Sequence, residues 1–178
     1  MHMELPIQIV LASKSPRRVD LLTQLLDHEF GEGVVTFAID PPNINETPLA
    51  NETPIAHVQR LAVAKSHAVA ARYSDAAVII AADTTVDLDG KIFGQPADEH
   101  DARTMLNELS GRTHQVHTAV AVVHLAQDGT MLSQAHGLDS AGVSMTEITP
   151  EKMEWYLATG ESMGKAGSYA VQGDGGAL

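Results

Sequence analysis

The sequence predicts an α/β fold, with a mixed, strongly bent sheet flanked by helices. Three observations predict it. Short apolar runs of strand length alternate with segments of helical period. Three of the helical segments open on a Ser-Pro or Thr-Pro pair, and a fourth on an aspartate. Asp-Gly pairs join strand candidates into hairpins, so the chain does not follow strict βαβ alternation.

Taken in order, residues 7–12 form an apolar run that reads as a buried strand. Ser15-Pro16 supplies an N-cap and first position for a helix, with Leu21, Leu22, Leu25 and Leu26 as its apolar stripe. A second strand is expected over 34–39. Residues 41–54 hold four prolines and several asparagines and read as loop. Thr53-Pro54 opens a helix to about Arg72, with Val58, Leu61, Ala62 and Val69 on one face. Residues 76–82 form a strand of the kind covered on both faces. A hairpin over 85–93 turns at Asp89-Gly90. Asp98 caps a helix ending near Ser110, with Gly111 just past its end. Two long strands, 114–126 and 131–145, meet at Asp128-Gly129. Thr149-Pro150-Glu151 opens a last helix, closed by Gly160. The glycine-rich tail reads as loop or short strand.

The 178 residues suggest one domain over 1–178, long enough to bury a core. Aromatics are only 4%, so the core must be mostly aliphatic. A formal charge of −12 argues against a nucleic-acid partner. The absence of cysteine excludes disulfides and thiol chemistry. Met1 to Gln8 have no basic segment of a signal peptide, and no apolar run reaches membrane-spanning length. A soluble, cytoplasmic protein is expected, with no membrane contact. Of the nine histidines, no pair has a convincing metal-ligand pattern. His114 and His117 fall on opposite faces of a strand, and the histidines read as mostly structural or surface residues.

Four groups of residues can carry chemistry. Ser13-Lys14-Ser15-Pro16-Arg17-Arg18 follows a strand and opens a helix. Hydroxyls, cations and free helical N–H groups then meet within one turn, which suits an anion. A capped helix with a solvated basic face gives the same pattern. Asp83 is expected at the end of a buried strand, where it can hold a divalent cation or take a proton from water. On local pattern alone, a turn residue or helix cap explains it more readily. Thr84 and Thr85 can bind a ligand or simply favour extended backbone. Glu46 and Glu52 lie in the proline-rich loop, and Arg60 and Lys65 on the next helix. Either carboxylate can complete a metal site with Asp83, or all four can be surface charges. Lys165 to Gly176 brings glycines for close approach and Gln172, which carries one donor group and one acceptor. A flexible tail has the same composition.

The order of these blocks is more specific than any one of them. Leu-Ala-Ser-x-Ser-Pro-Arg-Arg stands at 11–18, Glu-Thr-Pro at 46–48, and Arg-Leu-Ala-x-x-Lys at 60–65. Ala-Asp-Thr-x-Val follows at 82–86, Gly-x-Pro-x-Asp at 94–98, and Leu-Ser-Gly-x-x-His-x-Val-x-Thr at 109–118. Lys-Ala-Gly-x-Tyr-Ala-x-Gln-Gly closes the series at 165–173. The chain resembles the Maf family over roughly residues 5 to 177. The resemblance implies two lobes around a central cleft and a nucleoside triphosphate pyrophosphatase. It also implies a divalent metal, Mg²⁺ or Mn²⁺, a homodimer, and a link to septum formation.

Carried over residue by residue, the resemblance makes Asp83 the catalytic base. It places Arg17, Thr84 and Gln172 in substrate choice. Ser13, Arg18 and Lys65 become further substrate-binding residues, and Glu46 joins Asp83 as a metal ligand. Ala-Asp-Thr at 82–84 resembles the branch acting on dTTP and UTP. The branch acting on 7-methyl-GTP has Ser-Asp-Gln there. Gln95 stands where the family has lysine, so Lys91 is a candidate for the missing charge. Family members also run through another strand and helix beyond the point matching Leu178. Two other readings follow: a nucleotide-binding regulator of cell division with little catalysis, or a 7-methyl-GTP pyrophosphatase.

Overall fold

The computed structural model describes residues 7–178. Met1 to Pro6, which carry most of the segment read against a signal peptide, lie outside the described residues. The strands are β1 (Gln8–Leu11), β2 (Ala38–Ile39), β3 (Ala77–Leu88), β4 (Lys91–Phe93), β5 (Thr113–Leu125) and β6 (Met131–Ser144). The helices are α1 (Pro16–Phe30), α2 (Pro54–Ala70), α3 (Glu99–Leu109) and α4 (Pro150–Ala158), and two 3-10 turns close the chain. The six strands form one sheet in the order β2-β1-β3-β5-β6, with β4 on β3. Pairing is parallel between β1 and β2 and between β1 and β3, and antiparallel between β3 and β4. The predicted mixed α/β class is therefore the observed one.

The chain divides into two compact units. The first comprises residues up to Thr47, then Gln59–Asp83 and Ala119–Leu138. Its core lies on both sides of β1. Val10, Ala12, Val69, Ala77, Ile79, Ala81 and Val123 form one cluster, and Leu11, Leu22, Leu26 and Val35 form another. The expected four-leucine stripe on α1 is narrower than the sequence suggests. Leu22 and Leu26 are buried, whereas Leu21 and Leu25 are 46% and 55% exposed. At 100° per residue, 21 and 25 lie on a face adjacent to 22 and 26, and only the latter meets the sheet.

The second unit comprises Pro48–Val58, Thr84–Thr118 and Asp139–Leu178. Its core is Val86, Leu88, Phe93, Ala102, Leu106, Leu109, Met153, Tyr156, Leu157 and Tyr169 with their neighbours. The α3 start is as predicted, for Asp98 accepts from the Asp101 N–H at 2.8 Å. Thr149 caps α4 in the same way, accepting from Lys152.

One boundary differs in a way that bears on function. The run 76–82 and the first arm of the hairpin are a single twelve-residue strand, β3. Thr84, Thr85 and Val86 are β-branched, and Thr85, Val86 and Leu88 are buried, so the backbone stays extended through Asp83. Asp83 thus stands inside a strand, not at its end. The expected strand over 34–39 is reduced to Ala38–Ile39.

Candidate active site

In the first unit, Lys65 joins Asp83 to Glu46, and Ser13 holds Arg18, whose charge acts on Asp83. Ser13 follows β1 and is buried. Its hydroxyl oxygen accepts from the Ser15 N–H at 3.2 Å and from an Arg18 guanidinium N–H at 3.4 Å. Ser15 therefore turns the chain into α1 without capping it by its own side chain. The predicted side-chain cap is absent, and the first-turn N–H groups of α1 receive none from Ser15. Arg18, one turn into α1, is half-buried, and Arg17 is exposed beside it.

Lys65 projects from α2, and its ammonium donates to Asp83 Oδ1 at 2.7 Å. The same nitrogen lies 3.0 Å from Glu46 Oε1. The Lys65 and Asp83 side chains are 8% and 9% exposed, while Glu46 is 50% exposed. One buried ammonium thus bridges a buried carboxylate and a half-exposed one. Arg60 donates to the Thr47 carbonyl at 3.3 Å and steadies the loop that presents Glu46. Glu52, the other candidate in that loop, is engaged elsewhere. Its Oε2 lies 2.9 Å from His57 Nδ1 and accepts from the Leu49 N–H at 3.0 Å.

The electrostatics follow from burial. Burial pushes the Asp83 carboxyl up from its ordinary value, while Lys65 and Arg18 pull it back and Glu46 adds to the rise. The net direction is upward. Burial also lowers the Arg18 guanidinium, against the pull of Asp83 and Glu46. A carboxylate displaced upward next to two cations is the kind of perturbed group found where protons are moved.

The residues fit a divalent cation under one condition. Glu46 and Asp83 already share one positive group, so both carboxylates reach a common point. Among the described residues no cluster of three or more His, Cys, Asp or Glu can hold a metal alone. Mg²⁺ is commonly held by one or two carboxylates with substrate phosphates completing the shell. This donor pair matches that arrangement and does not match a closed protein cage.

Thr84 and Gln172 belong to the second unit. Thr84 follows Asp83 on β3, and its hydroxyl lies 3.1 Å from that of Thr118. Gln172 is exposed, in a turn closed by the Gly173 N–H donating to the Ala170 carbonyl at 3.1 Å. The glycine-rich tail is accordingly a wound turn and not a loose end. Lys91 is paired with Glu108 at 2.6 Å, and Gln95 is exposed.

Of the structural and surface readings, burial favours the first for both strand histidines. His114 Nε2 lies 2.6 Å from the Tyr169 hydroxyl, and the rings meet edge-on. His114 Nδ1 is buried and makes no hydrogen bond of normal geometry. Burial lowers the His114 imidazole, and the nearby Arg112 backbone opposes this in part. Burial also pushes the Tyr169 phenol up to about 12. His117 stands between Ser140, at 2.7 Å from Nδ1, and Asp87, at 3.2 Å from Nε2.

Sequence reasoning missed Glu161. Its carboxylate accepts from the backbone N–H groups of Asp174 and Gly175 and from the Tyr156 hydroxyl.

A buried carboxylate and two cations on an α/β sheet define a class of site suited to phosphate chemistry. The chain belongs to the Maf family: the model described as "Maf-like protein" matches residues 8–178. A protein of Dictyoglomus thermophilum named dTTP/UTP pyrophosphatase is 40% identical over 171 residues, covering 96% of this chain and 82% of its own. One of the same name from Shewanella denitrificans is 44% identical over 169 residues, covering 94% and 81%. Among solved structures, a nucleoside-triphosphatase / dITP/XTP pyrophosphatase from Mycobacterium abscessus aligns over 78% of this chain and 74% of its own. That likeness has 16% identity and a TM-score of 0.48. No helix among the described residues is long and apolar enough to cross a membrane.

Proposed function

We propose that this chain is a nucleoside triphosphate pyrophosphatase acting on dTTP and UTP, releasing the monophosphate and pyrophosphate. The observation that carries the reading is the buried Asp83 carboxylate, paired with Lys65 at 2.7 Å and within the electrostatic influence of Arg18. Its setting in a family whose relatives bear the name dTTP/UTP pyrophosphatase supplies the substrate class.

Asp83 takes a proton from water as the water oxygen attacks the α-phosphorus. The bond from that phosphorus to the bridging oxygen breaks, and pyrophosphate leaves. Lys65 pulls Asp83 toward its ionised form, against burial, and holds Glu46 in place. Arg17 and Arg18 hold phosphate oxygens, Arg18 from a position fixed by Ser13. Thr84 and Gln172 are assigned to the pyrimidine. Glu46 and Asp83 are the residues that would hold a Mg²⁺ or Mn²⁺ ion. Bound there, it supplies charge neutralisation on the phosphates. A ligating role and a proton-accepting role for Asp83 are alternatives. A cytoplasmic location and a homodimer complete the reading. The charge of −12 supports a small-molecule substrate over nucleic acid.

The test is pyrophosphate release from dTTP, UTP, CTP and 7-methyl-GTP with Mg²⁺ or Mn²⁺. Release from dTTP and UTP above the others supports the reading. Nucleotide binding without release replaces it with a binding regulator.

A further inference from the structure

The turn that carries Gln172 is wound around a single carboxylate. Glu161 follows α4 and has both oxygens engaged. Oε1 accepts from the Asp174 N–H at 3.1 Å. Oε2 accepts from the Gly175 N–H at 2.8 Å and from the Tyr156 hydroxyl at 3.1 Å. Two successive backbone N–H groups on one carboxylate form a charge-assisted clamp. Tyr156 anchors the clamp, for it is fully buried in the core of its unit.

The glycines record how close the contacts are. A Cβ on Gly173 would stand 1.7 Å from Glu161 Oε1. Its φ of −112° is open to any residue, so the need for glycine there is steric. A Cβ on Gly175 would meet the Ala170 backbone at 2.8 Å, and one on Gly176 would meet the Val171 carbonyl oxygen at 2.5 Å. Gln172 therefore sits in a turn that is fixed on both flanks. The Ala170 carbonyl closes one side and Glu161 holds the other. Its own side chain is exposed.

We propose that Glu161 is a positioning residue for base selection. It locks the 172–176 turn and so fixes the backbone position from which the Gln172 side chain reaches the pyrimidine edge. The inference rests on the pyrophosphatase reading and on Gln172 meeting the base. UTP and dTTP present an acceptor at position 4 of the ring, and CTP presents a donor there. An amide that can rotate freely serves either edge, because it carries both a donor and an acceptor. A side chain that starts from one fixed backbone position has fewer ways to present both groups to the base, so the wrong edge more often leaves polar groups unpaired.

The experiment compares kcat/KM for UTP and CTP in the full chain, its Glu161→Gln variant and its Tyr156→Phe variant. Glutamine keeps one acceptor but turns an NH₂ toward a backbone N–H, so half of the clamp is lost. In Glu161→Gln the UTP-to-CTP ratio is expected to fall at least about tenfold, mainly through KM, with kcat for UTP within about threefold. Tyr156→Phe removes one bond from the same carboxylate and shifts the ratio the same way by a smaller factor. It decides the matter if Glu161→Gln shows no cooperative unfolding transition. A folded variant that keeps the wild-type ratio overturns the role of Glu161. A wild type that releases no pyrophosphate overturns the pyrophosphatase reading instead. The same ratio is then taken from UTP and CTP binding, with the same expected fall.

Discussion

The ammonium of Lys65 lies 2.7 Å from Asp83 Oδ1, with both side chains buried. A buried ion pair is costly to break from one side, because the remaining charge keeps its desolvation penalty. Lys65→Met is expected to lower unfolding stability by about 3–5 kcal/mol. Urea unfolding at pH 7 checks this. Lys65→Arg should recover part of the loss. A Met variant as stable as wild type would mean that the pair does not form.

The upward displacement of Asp83 has a sign that can be followed in two ways. Its folded value exceeds the ordinary 3.8, so the fold favours the protonated form. Its contribution to stability is then present below pH 3.8 and lost as pH rises through the folded value. Activity runs the other way, since the base must be ionised. The acid limb of kcat/KM against pH should centre above 3.8.

His114 carries the opposite linkage. Burial depresses its imidazole below the ordinary 6.5. Stability from this group is fully present above pH 6.5 and falls as pH drops through the window below it. Thermal unfolding between pH 7 and pH 5 should show a smaller acid loss in His114→Gln than in wild type. Equal slopes would remove His114 from the account.

Gly129 turns the chain between β5 and β6 with a φ of +75°, and a Cβ there would stand 2.9 Å from the Ser74 Cα. Left-handed backbone and a backbone clash act together. Gly129→Ala is expected to destabilise by about 1–3 kcal/mol, read from chemical denaturation. Gly90 has a similar φ of +85° with open space around its Cβ, so Gly90→Ala should cost less.

Much of this was legible in the residues. Thr53-Pro54, Asp98 and Thr149-Pro150 mark helix starts because cap chemistry is local, and Pro16 marks the start of α1 by its fixed φ although Ser15 makes no side-chain cap. The Asp128-Gly129 hairpin is legible for the same reason. The extent of β3 was not. Asp83 reads as a strand end, since a carboxylate inside a buried strand makes sense only once Lys65 is found beside it. Lys65 is eighteen residues away in sequence, on α2. The choice between Glu46 and Glu52 also depends on partners, Lys65 for one and His57 for the other. Glu161 left no pattern of its own. The available signal was the density of glycines after Gln172, which marks close approach as readily as flexibility.

The most direct test of the central claim is pyrophosphate release from dTTP and UTP by the wild type and by Asp83→Asn, with folding checked by thermal unfolding. The account predicts release by the wild type and a loss of about 10²–10⁴-fold in the folded variant, the range for removing a general base. Wild-type turnover by folded Asp83→Asn would contradict it.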